Sequence, residues 1–148
     1  MHPRRWSDES FPEMSWHDCH VHSLRIQEGD HGAGELELDL DYILEWRNDR
    51  ENCQFLIVPA RLCFHRVFAA KITLDWAGPT AGFGPFSISG VERRMEDRAN
   101  YIATLWRLPV NWPAGSIEFE AEGFTQEAWG REVVSSQQSL RLSERVDA

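Results

Sequence analysis

Lysine is almost missing from this sequence. Of its fifteen basic residues only Lys71 is a lysine, and twenty-four acids set against them leave a net charge of -9. Nucleic-acid binding needs a concentrated positive surface to meet phosphates, so this balance argues against such a partner. The arginine excess suits bidentate recognition of carboxylates or phosphates, but an arginine-favouring base composition produces the same bias. Cysteine is scarce as well. Cys19, Cys53 and Cys63 are an odd number without C-x-x-C spacing, which favours reduced thiols in a cytoplasm over a disulfide framework. No apolar run approaches the roughly 20 residues of a membrane span, so no membrane partner is expected. The opening MHPRRWSDESFPEM has arginines but no apolar segment behind them, unlike a secretory signal. No G-x-S-x-G elbow occurs, and GPTAGFGP lacks both the following Lys-Ser/Thr and the strand–loop–helix setting of a phosphate loop.

What the chain has in quantity is period-two alternation. The run ELELDLD puts Leu36, Leu38 and Leu40 on one face of a strand and Glu35, Glu37, Asp39 and Asp41 on the other. With Leu24 and Ile26 before it and the Gly-rich GDHGAG between, it reads as a hairpin. QFLIV (54–58) is expected to end at Pro59, with RLCFHRV (61–67) and AKITLDW (70–76) after it. FSISGV (86–91), YIATLWRL (101–108, stopping at Pro109), SIEFEAEGF (116–124) and a last strand over about 128–134 complete the pattern. VERRMEDRA fits a helical turn or a charged strand end equally well. The expectation is a mainly β chain, an antiparallel β-sandwich or curled sheet of about seven to eight strands with little helix. Residues 1–15 read as a flexible arm, 16–142 as one β-rich domain and 143–148 as a tail.

The stretch WHDCHVHS, 16–23, concentrates His17, Asp18, Cys19, His20 and His22. Zinc or iron(II) needs three or four ligands converging at about 2.0–2.3 Å, and Asp18, His20 and His22 could supply three. H-x-H on a strand resembles the opening of the cupin metal motif, but the glutamate that should follow shortly is absent. If His20, His22, Leu24 and Ile26 share one face, the imidazoles point along the leucine row. Asp39 and Asp41 then face water with Val21 and Ser23. A one-residue slip would expose the leucine row, so register is expected to hold this arrangement. The plainer reading is two strand histidines, each hydrogen-bonded at the edge of a core. Cys19 has no base within the roughly 3 Å that a nucleophile needs. The tryptophans read as core and rim packing, with a small-ligand groove the alternative. Arg47, Asp49 and Arg50 lie in a polar run at a presumed turn and form a candidate partner-binding loop.

The His-Asp step and strand HDCHVHSLRI, the second strand ELELDLDYILEW, the stretch ARLCFHRV…KITLDW and the closing IEFEAEGFTQEAWGREVVSSQQSL together resemble small bacterial proteins of unassigned activity. Some proteins of this style look like immunity proteins of polymorphic-toxin systems. That resemblance implies action by binding a toxin, with no catalytic residue or cofactor needed. The acidic balance would suit a basic protein partner. The leading expectation is a non-enzymatic cytoplasmic β-domain acting by protein binding and able to form a homo-oligomer. The alternative is a metal-binding module or metal-dependent enzyme centred on Asp18, His20 and His22.

Overall fold

The computed structural model describes residues 2–48, 52–78 and 82–148. The strands are β1 (Arg5–Ser7), β2 (Cys19–Glu28), β3 (Gly34–Asn48), β4 (Cys53–Thr73) and β5 (Phe86–Ile88). They continue as β6 (Glu92–Asp97), β7 (Ile102–Trp112), β8 (Gly115–Glu120), β9 (Gly123–Ala128) and β10 (Val133–Ser135). All pairings are antiparallel, in the order β1-β9-β4-β3-β2-β5-β7-β6. β8 pairs with both β4 and β7, so β4, β3, β2, β5, β7 and β8 form a closed hydrogen-bonded circuit. The expected curled antiparallel sheet is therefore what the chain forms, and three short 3-10 turns are its only helix among the described residues.

The leucine row lines the inside of this curl. Leu36, Leu38 and Leu40 are fully buried, together with Leu62 and Phe64 of β4, Leu108 of β7 and Ile117 of β8. Burying such side chains stabilises the fold by about 1.5–3 kcal/mol each, which is why the alternation dictates the face.

Two prolines behave differently from expectation. β4 runs unbroken through Pro59, and β7 runs through Pro109. The Pro59 carbonyl accepts from the Trp129 and Gly130 amides, in the break between β9 and β10. The Pro109 carbonyl accepts from the Ser89 amide, in the break between β5 and β6. A residue's N–H and C=O point to the same side of an antiparallel strand. Each proline's missing N–H thus falls where the neighbouring strand is interrupted, and no ladder bond is lost.

The segment expected as a flexible arm adds β1 to the edge of β9 and buries Trp6, while Phe11 packs against the core. Residues 92–97, open between turn and strand, form β6. Its ERRMED sequence is exposed, and a charged outer strand discourages edge-to-edge pairing. The stretch 116–124 is divided between β8 and β9, facing a part of β4 where Arg66 and Ala69 take left-handed conformations.

Candidate functional site

Trp16, His17 and Asp18 form a turn that leads into β2. The Cys19 amide donates to the Trp16 carbonyl, and Asp18 sits at φ 61°. β2 then begins with Cys19 and Val21 facing inward, both buried. Downstream, Leu24 and Ile26 pair with Leu38 and Leu36, as the leucine row requires. Between these two parts lies a bulge: Val21 pairs with Leu40 and Ser23 with Asp39, leaving His22 as the extra residue. A bulge changes which face the following side chains occupy.

That bulge overturns the expected placement of the histidines. Upstream of it His20 pairs with Asp41, and His22 Nε2 lies 2.7 Å from Asp41 Oδ2. The imidazoles stand on the outer, aspartate-bearing face, while Leu24 and Ile26 remain in register with the leucine row. A slip of the whole strand would have exposed that row. One extra residue changes the upstream face without doing so.

Asp41 does not face water, and Asp39 is only partly exposed. Asp41 is completely buried, and its Oδ2 also accepts the Leu140 amide at 2.8 Å. Arg145, itself almost fully buried, gives Nε to Asp41 Oδ1 at 2.8 Å and two nitrogens to Asp39 at 2.8 and 3.0 Å. Trp129 adds its indole N–H to Asp39 Oδ1 at 3.0 Å, and the guanidinium of Arg145 lies 5.2 Å from the Trp129 ring. Burial alone would raise the Asp39 pKa, but the bonds from Arg145 and Trp129 outweigh it and hold the carboxyl below its ordinary range. The chain from Leu140 onward, expected to end as a tail, is thereby fastened over β3. Gly130 pairs with Asp147 and the Arg131 amide bonds to Val146. A Cβ at Gly130 would meet Pro59 Cγ at 2.7 Å, so only glycine permits this approach.

The remaining members of the histidine group are dispersed. His17 is exposed, stacks on Trp46 at 5.7 Å and lies 3.4 Å from Asp18 Oδ2. Asp18 accepts from Asn111 and Gln138, each at 3.2 Å. His20 turns Nδ1 to the Asp18 carbonyl at 3.1 Å, and burial lowers its pKa from 6.5. Asp18, His20 and His22 therefore each serve a different partner instead of aiming at one point. Arg47 is exposed and bonds Glu45 at 3.2 Å, whereas Asp49 and Arg50 lie outside the described residues.

A different cluster does converge. Among the described residues, Glu35, Cys63 and His65 are the one group of three metal-ligand side chains whose donor atoms lie within 4.8 Å of one another. Cys63 and His65 alternate onto the outer face of β4, and Glu35 comes from β3 opposite the register shift beside Arg66. The signal in the sequence is the Cys-x-His step on a strand, which strand patterning alone also produces. Arg145 gave no signal, being one of several charges in the polar stretch RLSERVDA.

Elsewhere on the surface, Phe68, Tyr101 and Ile102 are 47%, 56% and 65% exposed. They line one depression together with Arg66, Glu120 and Glu122. No helix is long and apolar enough to cross a membrane among the described residues. In comparisons with known proteins, no family model, curated protein or solved structure matches the chain.

Proposed function

We propose that this chain acts by binding a basic protein partner, toxin neutralisation being the specific form, and that the partner docks over Phe68, Tyr101 and Ile102. The observation that carries this reading is the gathering of three large, exposed apolar side chains around one depression. Single exposed hydrophobics are ordinary, but a contiguous group rimmed by polar residues is the form of a docking surface. Aromatic side chains in such a group supply much of the binding energy once a partner excludes water. Glu120 and Glu122 line the same depression, Glu122 paired with Arg66 at 3.1 Å, and the net charge of -9 would steer a basic partner toward the chain. The commitment of Asp39, Asp41 and His22 to Arg145 and to one another also supports binding over turnover, because it leaves these groups engaged within the fold.

A paired capture tests the proposal. The chain and its Phe68→Ser/Ile102→Glu variant are exposed to lysate from the source cells. A protein held by the first is purified and titrated against both by calorimetry. Support is a stoichiometric complex with a basic protein that the double variant weakens at least about tenfold and that added salt weakens further. A partner bound equally by both forms, or substrate turnover by the isolated chain, contradicts it.

A further inference from the structure

We infer that Glu35, Cys63 and His65 form a binding site for one divalent cation of the zinc type on the outer face of β3 and β4. This inference is independent of the docking surface proposed above and concerns a different part of the sheet.

Three observations support it. The first is geometry. Glu35 Oε2 lies 2.7 Å from His65 Nδ1 and 3.3 Å from Cys63 Sγ, and Cys63 Sγ lies 4.0 Å from His65 Nδ1. Donor atoms on a tetrahedral ion with bonds of 2.0–2.3 Å stand about 3.3–3.7 Å apart, so the three distances bracket the required spacing. The His65–Glu35 pair must open by about 0.6 Å and the Cys63–His65 pair close by about 0.3 Å to seat the ion.

The second observation is the far side of the imidazole. His65 Nε2 lies 2.9 Å from the Thr125 hydroxyl of β9. A ligating histidine needs a partner on its other nitrogen to fix ring orientation and tautomer. A hydroxyl both donates and accepts, so Thr125 suits the ring with its proton on either nitrogen. Without an ion, Nδ1–H serves Glu35. With one, the proton resides on Nε2 and donates to Thr125, freeing Nδ1 for the metal.

The third is the chemistry of the set. Thiolate, imidazole and carboxylate together select zinc-type ions over magnesium or calcium, which prefer oxygen alone. The cluster borders a depression lined also by Arg25, Gln27 and Glu37, which leaves the fourth position open to water. The thiolate rather than the thiol is the ligand, so the ion displaces the Cys63 proton to solvent, one proton per ion.

The test uses the full chain with Cys53→Ser, which removes the exposed thiol and leaves Cys19 buried. Prepared without metal affinity resin, it is titrated with Co(II) and then with Zn(II) against a chromophoric chelator, with circular dichroism confirming the fold. We expect one equivalent of cobalt with a thiolate-to-cobalt charge-transfer band, displaced by zinc. Zinc should also slow disulfide-reagent labelling of Cys63 at least about tenfold. Cys63→Ser should abolish the band, and His65→Gln should weaken binding at least about tenfold. A folded protein that gives no thiolate band, or metal binding that persists unchanged in Cys63→Ser, overturns the inference.

Discussion

The guanidinium of Arg145 meets the carboxylate of Asp41 at 2.8 Å across 104 residues of sequence, with both groups buried. This pair joins the last segment of the chain to the middle of the sheet. Around it, His22, Asp39, Trp129, the Leu40 carbonyl and the Leu140 amide supply further hydrogen bonds. Buried charges persist only when paired and bonded in this way.

Removing the cation alone should be severe. Arg145→Met leaves two carboxylates side by side on β3 without their shared cation. Losing one partner of a buried ion pair costs about 3–5 kcal/mol. Urea denaturation should show the unfolding free energy lowered by about that amount. Truncation after Ser139 should lower stability comparably, because it removes both Arg145 and the Leu140 amide.

Stability should fall with acid in two stages. The His20 pKa is lowered by burial, so its contribution is present above its ordinary 6.5 and is lost as pH falls below that value. The depressed Asp39 carboxyl contributes above its ordinary 3.8 and loses that contribution as pH falls further. Denaturation midpoints measured from pH 8 to 3 should decline through both windows. His20→Asn should flatten the upper one.

The alkaline side carries the opposite sign. Burial raises the Cys19 thiol to about 12 from 9.0, and burial likewise raises the Tyr42 hydroxyl to about 12 from 10.0. Both contributions are complete at neutral pH and are lost as pH rises and the unfolded chain ionises first. Each pH unit above the ordinary thiol value should lower stability by roughly 1.4 kcal/mol for Cys19. Cys19→Ala should remove that part of the slope.

The leucine row was legible because alternation is a local signal and only one face of the strand is inward. The bulge at His22 was not. An extra residue leaves the hydrophobic pattern on each side intact and shows only where the two parts meet their partners. Arg145 was unreadable for a related reason: its role exists only when residues far apart in sequence are adjacent. Pro59 and Pro109 misled in a third way. Proline excludes a strand only where a neighbour needs its N–H, and the gaps beside β9 and β5 belong to the fold.

Those prolines offer their own check. Pro109→Ala should change stability by no more than about 1 kcal/mol, mainly through the unfolded chain, and Pro59→Ala somewhat more, because its buried ring packs against Gly130. Val58→Pro should be far more damaging, since the amide of Val58 points to β3, where it pairs with Tyr42. Thermal denaturation of the three variants distinguishes these outcomes directly.

The most direct test of the ionic lock is a double-mutant cycle on Asp41→Asn and Arg145→Met by equilibrium denaturation. If the two side chains hold the terminal segment through each other, their effects should be non-additive by more than about 1 kcal/mol. Additivity within about 0.5 kcal/mol would contradict that account.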